Sequence, residues 1–244
     1  MMHYLSQKEV HELEIKANQI RQSIIEMLVA AGSGHTAGPL DMADIFALLY
    51  FRVLRHDPKN PDWEDRDRLV LSAGHICPVL YATMAHAGYL PVDELLTLRK
   101  FGSRLQGHPH RSALPGLETT SGPLGSGLSQ AVGMAIAERM DNQYSSKYIY
   151  CVTGDGELNE GQIWEAAMLA GREKLHNLIV IVDRNGIQID GDTKDVMPLE
   201  SLRDKFESFN FDVQEVDGHN IRMVNDAIGK AQAVYHKPSL IIAH

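Results

Sequence analysis

Two short segments of the sequence carry oxygen donors that could hold a cation. Gly154-Asp155-Gly156 follows the apolar run Tyr148 to Thr153, and Arg184-Asn185-Gly186 follows the apolar run Asn177 to Asp183. Asp155 offers a carboxylate and Asn185 an amide oxygen, and a bend after Asn185 would allow the Ile187 carbonyl to turn inward. These are hard ligands. A small cation such as Mg2+ takes near-octahedral oxygen coordination, which a phosphate-bearing ligand and water commonly complete. Taken alone, both segments equally fit ordinary turns, which Gly, Asp and Asn dominate for steric reasons.

Three Gly-His pairs, at 34–35, 74–75 and 107–108, suggest donors held where a ligand can approach the backbone closely. Imidazole suits proton movement near neutral pH. In a chain with 12 histidines a single loop histidine carries little weight. His3, His11, His56, His86, His110, His176 and His236 read as ordinary solvent-facing residues.

These groups need a scaffold, and the hydrophobic pattern supplies one. Ser6 and Glu9 form a capping box, and Val10, Leu13, Ala17, Ile20, Ile24 and Leu28 recur at helical spacing, which predicts a helix over about 7–31. Leu40 to Leu54 predicts a second helix, so the glycine-rich stretch between them is a loop. Arg68 to Ser72 reads as a buried strand, Val79 to Ala87 as a helix, and Pro91 to about Lys100 as another helix with Pro in its first turn. Phe101 to Gly125 is long and irregular, and a loop of that length inside a compact domain usually has a function. Ser126 to Met140 is helical and rich in small residues that would let another backbone pack closely.

Strand, helix and strand follow at 148–153, 161–170 and 177–183, and strands at 211–216 and 239–243 flank a helix over about 221–235. The alternation implies parallel strands. The predicted fold class is α/β, a doubly wound and mainly parallel sheet with helices on both faces, forming a single domain over 1–244. In such a sheet ligands bind beyond the carboxyl ends of the strands, where both oxygen-donor segments fall. The helix starting near Gly161 points its N–H groups the same way, but Glu157 and Glu160 intervene and weaken any dipole argument.

Composition excludes several classes. The formal net charge of -9 is a poor match for a phosphate backbone, so no nucleic acid partner is expected. Cys77 and Cys151 lie far apart and in no metal-ligand spacing, which fits a reducing cytoplasm. No apolar run approaches the roughly 20 residues that cross a bilayer, and no targeting pattern opens the chain, so no membrane role is expected.

The segments GDGELNEGQIWEAAMLAG and LIVIVDRNGIQIDG together resemble the thiamine-diphosphate signature of the transketolase family. GSGHTAGPLDMADI, DRLVLSAGH, LQGHP and ETTSGPLGSGLSQAVGMA resemble further family motifs, in the family's order, so the likeness runs from about residue 15 onward. By this resemblance the cofactor is thiamine diphosphate with Mg2+, Ca2+ or Mn2+. Asp155 and Asn185 match metal ligands, with Ile187 beside them. His75 and Gly156 meet the diphosphate, and Gly122 and Leu124 meet the aminopyrimidine and thiazolium parts. His35 and His108 face the substrate and are the catalytic candidates, while Glu160 and Glu165 match acidic positions at a subunit interface.

The family also has a pyrimidine-binding domain, which carries the glutamate that activates the cofactor and the arginines that hold substrate phosphate, and a C-terminal domain. Neither matches any part of the sequence, which ends at His244, and a family histidine just past the last strand has no safe counterpart in that residue. The resemblance therefore implies the diphosphate-binding subunit of a split transketolase, working with a C-terminal transketolase subunit in an α2β2 heterotetramer on sugar-phosphate substrates. A deoxyxylulose-phosphate synthase-like subunit, a ketoacid dehydrogenase component and a noncatalytic cofactor-binding assembly subunit are the alternatives. GSGHTAGPL and TSGPLGSG are more similar to transketolase.

Overall fold

The computed structural model describes residues 4–142, 145–189 and 191–244. Its frame is five parallel strands: β1 (Arg68–Leu71), β2 (Ile149–Gly154), β3 (Leu178–Asp183), β6 (Asp212–Val216) and β7 (Ser239–Ala243), in spatial order β1-β2-β3-β7-β6. The register sets Gly154 beside Asp183, so the ends of β2 and β3 finish level. A small antiparallel ribbon, β4 (Ile187–Gln188) and β5 (Gly191–Asp192), lies outside the sheet.

Strand side chains alternate between two buried cores. Leu69, Leu71, Tyr150, Val152, Ile179, Ile181 and Ile241 face one core with α1 (Gln7–Ala31), α3 (Ala43–Leu48), α4 (Cys77–Ala87) and α9 (Ile221–Gln232). Val70, Cys151, Val180, Val182 and Ile242 face the other with α5 (Ser126–Asp141), α6 (Gly161–Glu173) and α8 (Leu202–Ser208). Strands covered on both faces read as near-continuous apolar runs, which is how Leu178 to Val182 appears in the sequence. The α/β class with helices on both faces is what the pattern predicts.

α1 has the bounds its capping box implies. Ser6 Oγ accepts from Glu9 N at 3.2 Å, Glu9 Oε2 accepts from Ser6 N at 2.8 Å, and Gly32 ends the helix at φ 64°. The helix expected over 40–54 is instead three pieces: α2 (Ala37–Asp41), α3, and a π-helical turn at Leu49–Val53. It starts earlier because Pro39 sits in the first turn, where its missing N–H costs nothing. The expected helix over 91–100 is a 3₁₀ segment, Val92–Thr97, after which Leu98 is buried and Arg99 turns to φ 58°. Such short connectors favour 3₁₀ geometry.

The long stretch over 101–125 has no regular element, as expected, but it is anchored. Leu105, Leu114 and Leu117 are buried in the first core, Glu118 pairs with Arg66, and Ser121 N donates to Pro109 O at 3.1 Å. The β4–β5 ribbon, α7 (Thr193–Val196) and α8 go beyond what the sequence pattern predicts.

Candidate active site

The carboxyl ends of β1, β2 and β3 converge on one edge of the sheet, and the candidate residues gather there. Asp155, at the end of β2, is 4% exposed and accepts three hydrogen bonds: Oδ1 from Gly156 N at 2.8 Å, and Oδ2 from Gly186 N at 2.8 Å and Arg184 Nη1 at 2.6 Å. Arg184 also donates to Thr193 Oγ1 at 2.7 Å and pairs with Glu200. The Asp155 carboxylate therefore ties together its own turn, the turn after β3 and the segment beyond the ribbon.

Asn185 closes the second turn. Its Oδ1 accepts from Ile187 N at 2.9 Å and its Nδ2 donates to Asp183 Oδ2 at 3.1 Å. Gly186 holds the bend at φ 77°, a left-handed conformation that glycine adopts without strain. Ile187 is 63% exposed. Asp183 is buried beside Asp41 and Asp155; burial, then the Asp41 hydrogen bond and the two neighbouring carboxylates, raise its carboxyl to about 8.

A hard cation fits this donor set. A carboxylate offers about four lone-pair sites and an amide oxygen two, so both Asp155 and Asn185 retain accepting capacity after the bonds above. Among the described residues there is no cluster of three His, Cys, Asp or Glu side chains able to hold a metal. One carboxylate and one amide oxygen make an incomplete oxygen set, of the kind that a cation completes with a bound diphosphate and water.

The three histidines also meet. His35 and His75 rings lie 4.9 Å apart, edge to face. Together with Cys77, Arg99 and His108 they line a small void, and Arg99 and His108 open into a cavity of about 450 Å³ that Ser103, His110, Thr120 and Ser121 also line. Burial, then His35 and His108, hold the His75 imidazole down at about 4. His108 is lowered as well, by its burial, the Arg99 cation and His35. His75 is therefore a neutral ring at physiological pH, able to donate from one nitrogen and accept at the other.

Protein also fills the space beside each glycine that precedes a histidine. A Cβ on Gly34 would lie 2.5 Å from Leu28 Cδ2, one on Gly74 2.9 Å from Ser121 Cβ, and one on Gly107 2.9 Å from Arg99 Nε. Among the histidines read as ordinary, His56 bonds Tyr50 O and Tyr89, and His86 bonds Ser23, whereas His110 lines the cavity. His3 lies outside the described residues.

Gly122 and Leu124 sit on the loop entering α5. A Cβ on Gly122 would meet nothing within 4 Å, Leu124 is 36% exposed, and its carbonyl accepts from Gln162 Nε2 at 2.7 Å. Glu160 caps α6 without a side-chain bond, and Glu165 lies on the exposed face of that helix.

Four further residues, Ser72, Arg99, Ser121 and Glu157, belong to this edge although the sequence pattern does not single them out. Glu157 accepts from Ser72 Oγ, from Gly125 N at 2.6 Å and from Gly154 N at 3.1 Å. Burial raises its carboxyl and those three bonds oppose the rise. Ser121 Oγ is buried without a partner at the cavity wall, a free hydroxyl that a ligand can satisfy. Arg99 bridges the two voids. The sequence signal for Glu157 is its position directly after Gly156.

A parallel sheet with hard oxygen donors and histidines at its strand ends defines a cofactor-binding α/β domain, and residues 13–244 match the family described as transketolase, thiamine diphosphate binding domain. The chain belongs to the transketolase family. It is 44% identical over 238 residues to the 6-deoxy-6-sulfo-D-fructose transketolase subunit of Clostridium sp. (strain MSTE9), covering 98% of this chain and 86% of that protein. It is 39% identical to an apulose-4-phosphate transketolase subunit of Phocaeicola vulgatus, covering 97% and 83%. Against solved transketolase from Leishmania mexicana the TM-score is 0.91 at 39% identity, covering 99% of this chain but 37% of that one.

Proposed function

We propose that this chain is the diphosphate-binding subunit of a split transketolase, which with a partner moves a two-carbon ketol unit from a ketose phosphate to an aldose phosphate. The observation that carries the reading is the convergence of Asp155, Asn185, Ile187 and the three histidines on one sheet edge. Near-full coverage by relatives named as transketolase subunits supports the two-chain form.

In this reading Asp155, Asn185 and the Ile187 carbonyl hold Mg2+, and Gly156 and His75 hold the diphosphate. Gly122 and Leu124 line the aminopyrimidine and thiazolium side. When bound, the cofactor supplies a thiazolium ring that absorbs the carbanion character created when the bond next to a ketose carbonyl breaks. His35 and His108, both exposed, donate hydrogen bonds to the substrate's carbonyl and hydroxyl oxygens and move protons there. The partner brings the pyrimidine-binding and C-terminal domains, with the activating glutamate and the phosphate-binding arginines. Glu160 and Glu165 lie at the junction of an α2β2 assembly in the cytoplasm. Among the described residues no helix is long and apolar enough to cross a membrane.

Co-purification with the partner followed by substrate profiling tests this reading. Ketol transfer between sugar phosphates without release of carbon dioxide from pyruvate supports it, and pyruvate decarboxylation replaces it with a ketoacid dehydrogenase component.

A further inference from the structure

Glu157 is 3% exposed, and its bonding partners come from three separate parts of the chain. Oε1 accepts from Ser72 Oγ, just after β1, and from Gly125 N, at the end of the loop entering α5. Oε2 accepts from Gly154 N, at the end of β2. Each partner is within three residues of a candidate cofactor contact: Ser72 of His75, Gly125 of Gly122 and Leu124, and Gly154 of Asp155 and Gly156. Packing is tight around the same point, since a Cβ on Gly127 would lie 2.5 Å from Ser72 Cα.

The donors are one hydroxyl and two backbone N–H groups, with no cation among them. A buried carboxyl without an opposite charge is a poor device for stability, because an apolar side chain of similar volume often does as well. It is a good device for register, because two oxygens fix three donors relative to one another.

We propose that Glu157 is a positioning residue that locks the β1, β2 and α5-entry loops into the single arrangement the cofactor needs. The proposal rests on the reading of these loops as the cofactor cradle. Glutamine cannot substitute fully: its amide nitrogen presents hydrogens either to the N–H of Gly154 or to the donors at Oε1, so at least one bond is lost.

Hydrogen exchange on the full chain, read at single amides, tests the lock directly. Glu157→Gln should speed exchange about tenfold or more at Gly125 and Gly154, and should also speed it at Gly156 and Gly186, whose N–H groups Asp155 holds. Titration of thiamine diphosphate with Mg2+ should then show an affinity about 10- to 100-fold weaker, the usual cost of losing a group behind a metal ligand. Unchanged exchange at Gly125 and Gly154 overturns the proposal. So does faster exchange there with Gly156, Gly186 and cofactor affinity all as in the parent chain, since a merely structural role moves stability alone. Should Glu157→Gln fail to fold, Ser72→Ala removes only the hydroxyl donor; faster exchange at Gly125 supports the lock and unchanged exchange there overturns it. Asp155→Asn serves as the separate control: if it leaves cofactor affinity intact, the cradle reading fails, while the exchange data still judge the lock.

Discussion

The two ends of the site are built differently. At the strand-end side, Asp155, Asp183 and Glu157 are buried and bonded on several sides, so the geometry exists before any ligand arrives. At the histidine side, His35 and His108 are exposed, and His108 borders a cavity of about 450 Å³. In the proposed function, the contrast separates a finished cradle for one end of the cofactor from an open wall for the substrate. Preorganised groups cost nothing to arrange at the moment of use, whereas open walls acquire their geometry from what closes over them.

Removing the cradle should have the largest effect. Asp155→Ala and Asn185→Ala are each expected to abolish magnesium-dependent thiamine diphosphate binding, read by calorimetry. The two should separate in stability. Asp155→Ala strands Gly156 N and Gly186 N, leaves Arg184 with only Thr193 and Glu200, and should cost about 1 to 3 kcal/mol in denaturant unfolding. Asn185 is exposed, and loss of its two side-chain bonds should cost less, about 0.5 to 1.5 kcal/mol. Equal destabilisation by the two would break the picture of Asp155 as the hub.

On the open wall the effect moves from binding to rate. His35→Ala and His108→Ala should each lower turnover of the reconstituted enzyme by roughly 100- to 10,000-fold, with cofactor affinity little changed. Near-normal turnover in both removes them from the mechanism.

Smaller effects sharpen the boundary between the two ends, which runs through Gly74-His75. Gly74→Ala pushes a methyl group against Ser121 and His108 and should destabilise the chain by about 1 to 3 kcal/mol in chemical denaturation. His75 should titrate near pH 4 by NMR in the free chain. Its unfolded value is about 6.5, so the unfolded state binds more protons between those two points. Its contribution to stability is complete above about pH 6.5 and is lost as pH falls towards about 4. Thiamine diphosphate with Mg2+ should raise the His75 pKa, because a nearby anion favours the charged ring.

The sequence disclosed the strands and the long capped helix because periodicity and caps are local signals. It disclosed Asp155, Asn185 and the Gly-His pairs because strand ends and punctuating glycines are visible in one dimension. Glu157 was hidden, since its partners Ser72 and Gly125 are joined to it only by folding. The crowding beside each glycine was hidden for the same reason: Leu28, Ser121 and Arg99 fill the spaces beside Gly34, Gly74 and Gly107. The helix expected over 40–54 broke because Pro39 moved its start and a π turn ended it, both subtler than the apolar pattern.

The most direct measurement is a ketol-transfer assay on the homogeneous chain with Mg2+ and thiamine diphosphate, followed by titration with a chain that supplies a pyrimidine-binding domain. On the proposed two-chain reading the chain alone should show no transfer, and activity should rise with the partner to a stoichiometric plateau. Full activity before any partner is added would contradict the account.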